Sequence, residues 1–235
     1  MPEPTGPTGP QSFPEPFPTD WRSVLVLVPH PDDPEYGIAA AVAKWTASGK
    51  TVRYALACRG EAGIAGMAPE QAGPIREAEQ RRSAAIVGVD QVDFWDFPDS
   101  NIRDGAALRA VITSVIHDTK PDVVVTMYGG AEWGPGEPNQ RDHIEFAAAV
   151  TAAFDALADP PRWLFQNAPQ PTHVETVDGF IDTAVDSLAA HQAYLSVLDP
   201  ATPVREQARQ VIDMTTPVLP ESGSRAVRFV RVRGD

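Results

Sequence analysis

The chain has 235 residues, 43% of them hydrophobic, with 32 acidic and 19 basic side chains and a net charge of -13. That length suits one large domain or a domain with an extension, and the acidic balance argues against a nucleic-acid surface, an anionic membrane or a strongly anionic substrate. A single cysteine, Cys58, excludes an internal disulfide framework.

That cysteine usage fits a reducing, cytoplasmic setting. No apolar run approaches ~18 residues, so no spanning helix is expected. The N-terminus lacks the cationic-then-apolar pattern of a secretory signal. Residues 1–20, "MPEPTGPTGPQSFPEPFPTD", are rich in Pro and Gly and cannot form a helix or an interior strand. They read as an extended arm, with Phe13 and Phe17 available to pin it to the body; an undocked tail fits the same composition. Residues 21–235 read as a single domain with no internal repeat.

From Trp21 strand-like and helix-like signals alternate. "SVLVLV" (23–28) is a continuous apolar run, the mark of a strand covered on both faces. An Ala-rich helix is predicted over 37–49, stopped by Gly49. A strand over 51–57 follows, then a Gly-rich loop and a helix over 74–89 with Pro74 near its start. Next come a strand over 91–97, a helix over 105–120 that ends before Pro121, and a strand over 122–128. The pattern continues with a helix to about residue 158, strands near 162–166 and 173–177, helices near 180–195 and 203–214, and a last strand, "RAVRFVRV". The alternation predicts right-handed crossovers and an α/β fold, a Rossmann-like three-layer sandwich with a mostly parallel central sheet.

Ligands of open α/β sheets bind beyond the carboxyl ends of the strands. "PHPDDPEYG" stands at the end of the first core strand, and "NQRDHIEF" (139–146) beyond the fourth. The two segments can meet at one edge of the sheet. Imidazole with carboxylate suits zinc or another divalent transition metal, and His30, Asp33 and His143 would supply three ligands, leaving a position for water. Asp32 points elsewhere from its neighbour and suits a general base. A second reading also fits: Asp33 before Pro34 is an ordinary N-cap followed by proline.

These segments resemble the LmbE-like, or PIG-L, family of zinc-dependent N-acetylglucosaminyl deacetylases. "PHPDDPEYG" is similar to the family's His-Pro-Asp-Asp motif, "ACRGEAG" to its Gly-Glu loop and "IREAEQRRSAAIVGV" to its Arg-Glu helix. "FWDFPDSNI" and "KPDVVVT…RDHIEF" match its third loop and last metal-binding region. The resemblance implies hydrolysis of an amide, often the N-acetyl group of a glucosamine. It implies Zn2+ on His30, Asp33 and His143, with Asp32 as base. Arg76 and Asp99 would grip substrate hydroxyls, and Glu61 would shape that pocket. Without it, Arg76, Glu77 and Glu79 read as helix-surface charges. Family members often assemble, so a homo-oligomer, trimer or hexamer, is an expectation; no nucleic-acid or membrane partner is expected.

The sequence departs from the pattern at Gln140, where the family often has a histidine that assists the developing oxyanion. Glutamine donates a hydrogen bond but carries no charge. Metal, Arg141 or another donor would then share that work. Asp142 fits two roles: holding His143 in one tautomer, or capping the following helix. Ala184 and Tyr194 stand where the family commonly has lysine and glutamine. His191 fits a pocket, a subunit contact or a satisfied helix histidine. His117 and His173 read as structural or exposed, and Trp133 as a sugar-stacking ring or a packing anchor. Competing functions are an amidase acting on a non-sugar amide with the same site, a non-haem metal oxidoreductase, and a binding module without turnover. "GEAGIAG" lacks dinucleotide-binding spacing.

Overall fold

The computed structural model describes residues 13–234. Residues 1–12 of the expected arm lie outside them. In chain order the elements are β1 (Glu15–Pro16), β2 (Ser23–Val28), α1 (Asp33–Gly37), α2 (Ala39–Ala47), β3 (Thr51–Leu56), α3 (Pro69–Ile86), β4 (Gln91–Phe94), α4 (Ala106–Thr119) and β5 (Val123–Thr126). They continue with β6 (Glu132–Gly134), β7 (Glu137–Pro138), α5 (Arg141–Asp155), β8 (Trp163–Asn167), β9 (His173–Thr176), α6 (Ile181–Ala189), α7 (Gln192–Leu198), α8 (Val204–Thr215) and β10 (Ala226–Arg233).

The main sheet runs β1-β9-β10-β8-β5-β2-β3-β4. Its centre is parallel: β2 pairs with β3 and β5, β3 with β4, and β5 with β8. β10 enters antiparallel to both β8 and β9. The chain therefore winds outward from β2 through β3 to β4, then returns to the other side of β2 at β5. That reversal opens a crevice between the carboxyl ends of β2 and β5.

Two hydrophobic layers follow from side-chain alternation along β2. Val24, Val26 and Val28 pack with α2, α6 and α8 on one face, and Leu25 and Leu27 with α4 and α5 on the other. Val26 and Leu27 are fully buried, and each such side chain is worth ~1.5–3 kcal/mol relative to exposure. The arm docks over part of its length. β1 pairs parallel with β9 at the sheet edge. Phe17 is buried among Trp21, Trp45, Phe165 and Phe229, whereas Phe13 is 70% exposed.

Two helices differ from expectation. α3 begins at Pro69, not at residue 74, and carries Pro74 inside it. Pro69 takes the first-turn position that proline favours, and Pro74 forfeits only the bond to the Glu70 carbonyl. The helix expected over 180–195 is broken at Ala190–His191 into α6 and α7, which turns His191 fully inward. Between β5 and α5 the chain forms the short antiparallel β6–β7 hairpin.

A candidate metal centre at the switch point of the sheet

β2 ends at Val28, and the chain turns through Pro29-His30-Pro31 into Asp32, whose φ of 78° lies in the left-handed region. Aspartate tolerates that conformation better than most residues. The Asp32 backbone N–H donates to Gln80 Oε1 at 2.7 Å, and Gln80 Nε2 donates to both Glu35 oxygens at 3.0 and 3.2 Å. Gln80 and Glu35 are fully buried, so the turn is held from beneath. Asp32, not Asp33, is the N-cap of α1, through its carbonyl, which accepts from the Glu35 and Tyr36 N–H groups. The Asp33 carboxylate is thereby spared from capping, and its Oδ2 accepts from the His30 backbone N–H at 2.7 Å.

Asp33 stands between two imidazoles. His30 Nδ1 is 3.4 Å from its Oδ2 and His143 Nε2 is 3.2 Å from its Oδ1. The two rings have centroids 5.5 Å apart. Each ring turns its other nitrogen to oxygen. His30 Nε2 lies 3.2 Å from Asp142 Oδ2 and 3.3 Å from Asp99 Oδ1, and His143 Nδ1 lies 3.1 Å from Asn139 Oδ1. Oxygen acceptors at the far nitrogens fix protons there, so both near nitrogens can present lone pairs to one point beside Asp33. His143 Nε2 is buried and has no hydrogen-bond partner. Two nitrogens and a carboxylate around an unsatisfied buried atom fit a divalent transition metal.

Without a cation the cluster balances its own charge. Burial alone would lower the His30 pKa, but hydrogen bonds to Asp142 and Asp33 outweigh it and hold it at about 10. Burial would raise that of Asp33, yet the charge of His143 above all, with the contacts of His30, holds it well below the usual carboxylate range. Asp32 is pushed up to about 6, by burial first; Arg76 opposes the shift and Asp33 adds to it. A second cluster, His30–Cys58–Asp99, shares His30. There burial pushes the Cys58 thiol far up, and Sγ donates to the Pro29 carbonyl at 3.3 Å.

Arg76 is 3% exposed and faces Asp32 instead of open cavity. Its Nη2 lies 3.1 Å from Asp32 Oδ2 and donates to the Pro31 carbonyl at 2.8 Å, while its guanidinium packs 4.2 Å from the centre of the Tyr194 ring. The Gly-rich loop makes room for it. Gly60, at φ +66°, and Gly63 both stand where a Cβ would meet that guanidinium. Asp99 faces His30 through Oδ1, and its Oδ2 accepts from the Ala62 N–H at 2.8 Å. Glu61 accepts from the Asp99 N–H at 2.9 Å and so positions the Asp99 loop.

Asp142 turns to His30, not to His143. The residue that sets the His143 tautomer is Asn139, whose Oδ1 also accepts from Trp133 Nε1 at 3.0 Å and the Gln140 N–H at 2.9 Å. Sequence reasoning missed Asn139, although an amide four residues before a candidate ligand, at a helix start, was a signal. Trp133 is both anchor and wall: it holds Asn139, packs against Tyr128 with the rings tilted by 51°, and lines the cavity. Gln140 is exposed at the same cavity, and Arg141 lies at the surface beside Glu145. His191 is fully buried 3.4 Å from Glu35 Oε2, away from the cavity wall. His117 is exposed, and His173 is buried against Phe165. Glu77 pairs with Arg59 and Arg81, whereas Glu79 is buried and accepts from the Ala193 N–H.

The cavity has a volume of about 540 Å³. Asp32, Asp33 and His143 lie along its wall with Tyr36, Met127, Trp133, Tyr194, Leu198, Met214 and Arg228. Among the described residues no helix is long and apolar enough to cross a membrane.

A doubly wound α/β sheet with an imidazole–carboxylate cradle at its switch point defines the class: a Rossmann-like protein with a metal-type centre facing a cavity. The chain belongs to the PIG-L family, described as GlcNAc-PI de-N-acetylase, which matches residues 25–154. A Bacillus anthracis protein named "Probable N-acetyl-alpha-D-glucosaminyl L-malate deacetylase 2" is 27% identical over 212 residues, 83% of this chain and 89% of that one. Diacetylchitobiose deacetylase of Thermococcus kodakarensis is 32% identical over 147 residues, 61% of this chain and 53% of that one. The solved N,N'-diacetylchitobiose deacetylase from Pyrococcus horikoshii superposes with a TM-score of 0.74 at 17% identity, covering 91% of this chain and 84% of that one; this likeness concerns the fold.

Proposed function

We propose that the protein is a zinc-dependent hydrolase that removes an acyl group, acetyl above all, from the nitrogen of an amino sugar or its conjugate. His30 Nδ1, the Asp33 carboxylate and His143 Nε2 would hold the cation. A cation held there would polarise a carbonyl and make water acidic enough to attack near pH ~7. Asp32 takes the proton of the attacking water and delivers it to the departing amine. Arg76 keeps Asp32 ionised and aimed. Gln140 donates toward the carbonyl oxygen as it gains charge. Family membership and the named relatives support the amide and the amino sugar. The observation that carries the reading is Asp32: buried, at the cavity wall beside the cradle, with its Oδ2 held 3.1 Å from the Arg76 guanidinium.

The test is release of acetate and free amine from N-acetylglucosamine and its glycosides by zinc-loaded protein. Turnover by wild type and its loss in Asp32→Asn, at equal zinc content, are the expected results. A second reading, hydrolysis of a non-sugar amide by the same residues, draws support from the apolar walls at Met127, Leu198 and Met214. Turnover of simple N-acyl amines with none of the sugar panel would favour it.

A further inference from the structure

Beneath Asp32 lies a polar chain that the chemistry above does not use. Gln80 on α3 and Glu35 on α1 are both fully buried, and neither lines the cavity. Gln80 Oε1 accepts from the Asp32 backbone N–H at 2.7 Å, and Gln80 Nε2 donates to both Glu35 oxygens at 3.0 and 3.2 Å. The direction of that amide is dictated from both ends. A backbone N–H only donates, so the Gln80 oxygen must face Asp32 and the NH2 must face an acceptor. Glu35 is that acceptor. Burying a carboxyl group is costly unless it is hydrogen-bonded, so Glu35 is a poor choice for packing alone.

Three helices hold the chain in place. On α3, Ser83 stands one turn after Gln80, and on α6 Ser187 precedes His191 by four residues. The two serines are fully buried and lock the helices reciprocally: Ser83 Oγ donates to the Ser187 carbonyl at 2.8 Å, and Ser187 Oγ to the Ser83 carbonyl at 3.0 Å. The break between α6 and α7 then brings His191 Nε2 to 3.4 Å from Glu35 Oε2. Neither nitrogen of that ring makes a hydrogen bond elsewhere among the described residues. Glu35 is thus closed in by Gln80 and His191.

What the chain supports is a strained backbone. Asp32 has a φ of 78°, which costs energy for a residue with a Cβ. That turn parts two adjacent carboxylates. Asp32 Oδ2 lies 3.1 Å from Arg76 Nη2, while Asp33 Oδ1 lies 3.2 Å from His143 Nε2. Asp33 has a separate tether, the His30 N–H at 2.7 Å. Asp32 relaxing to an ordinary backbone angle would re-aim its own carboxylate more than it would disturb the cradle.

We propose that Gln80 and Glu35 are positioning residues: Gln80 holds Asp32 in its left-handed conformation, and Glu35 fixes the Gln80 amide in the direction that allows it. The role of Asp32 as base rests on the reading above; its positioning rests on these contacts alone.

The experiment uses the zinc-loaded full chain and N-acetylglucosamine glycosides, with rates expressed per bound zinc. Gln80→Met keeps the side-chain length and removes both hydrogen bonds. It is expected to lower kcat by about 10–100-fold with KM within about twofold, as for a misaimed reacting group. Glu35→Leu is expected to act likewise. Glu35→Gln, whose amide oxygen still accepts from Gln80, is expected to recover most of that loss. Melting temperatures lowered with kcat per zinc unchanged would mean a merely structural role and overturn the proposal.

Amide hydrogen exchange read by NMR supplies a measure that needs no turnover. In wild type the Asp32 amide is expected to be as protected as those of Glu35 and Tyr36, which donate to the Asp32 carbonyl. In Gln80→Met it is expected to exchange at least about tenfold faster. Free exchange at Asp32 in wild type, or undiminished protection in Gln80→Met, would overturn the proposal. Protection lost in Gln80→Met, with no turnover by wild type, would support the positioning contacts while sinking the hydrolase reading. The wild-type protection stands as a test even if the variants fail to fold.

Discussion

Asp142 Oδ2 lies 3.2 Å from His30 Nε2, on the side of that ring away from Asp33. The carboxylate draws the ring proton outward and leaves Nδ1 to face the cradle. Outer partners of this kind typically carry about 10–100-fold in metal affinity. Asp142→Ala is therefore expected to weaken zinc binding by about that factor in competition with a chelator. Asp142 also stands in the first turn of α5, so a small fall in melting temperature accompanies the change. Unchanged zinc affinity would mean that His30 needs no outer partner.

Zinc loading should depend on pH with a definite sign. The empty cradle holds His30 as imidazolium up to about pH 10, so binding must expel that proton. Asp33 is already ionised and adds nothing at neutral pH. Affinity is expected to rise about tenfold per pH unit between about pH 6 and 9, and calorimetry in buffers of different ionisation enthalpy should detect the released proton. A flat response across that range would contradict a charged His30.

Asp32→Asn should lower kcat by about 10²–10⁴-fold with zinc content intact, the range for a lost general base. Arg76→Met acts through the same carboxylate. Asp32, already raised to about 6 with Arg76 opposing the shift, must rise further without that cation. The acid limb of the kcat profile should move to higher pH, because the ionised form is the base. Stability should fall by about 3–5 kcal/mol, since removal leaves a buried charge unpaired. An unmoved acid limb in a folded variant would separate Asp32 from the measured ionisation.

Gln140→His places a chargeable donor at the cavity edge. Activity is expected to hold or rise. A loss with zinc content unchanged would show that the amide itself is required.

Phe17→Ala should destabilise the fold by about 3–5 kcal/mol in urea titration, the usual cost of emptying a buried phenylalanine site. Phe13→Ala, 70% exposed, should stay within about 0.5 kcal/mol. Equal effects would mean that the arm is not pinned at Phe17.

The strands of the parallel core are legible in the sequence because their signal is a run of apolar residues between turns, and "SVLVLV" maps onto β2 without a shift. The convergence of His30 and Asp33 with His143 is legible because the first two follow the carboxyl end of β2 and the third stands in the first turn of α5, beyond β5. Long side chains are not. Arg76 is expected to reach substrate, yet it folds back under Tyr194 onto Asp32. That direction is fixed by Gly60, Gly63 and a helix far along the chain, which meet it only through tertiary contact. Buried charges are illegible for a related reason. Glu35, Glu79 and His191 look like surface residues until distant segments close over them. The start of α3 is hidden because Pro74 carries a stronger local signal than Pro69, although a proline one turn inside costs little when only one carbonyl loses its donor.

The docking of β1 has a consequence for synthesis. Glu15 pairs with His173, and His173 with Phe229, so the first strand of the sheet finds its supported neighbour only after Phe229 has been made. The segment emerges early from the ribosome and waits, its Phe17 ring uncovered, while the middle of the chain collapses. Pairings this distant in sequence close late, because the loop entropy must be met before the contact stabilises anything, so β1 docks only after β9 and β10 are in place.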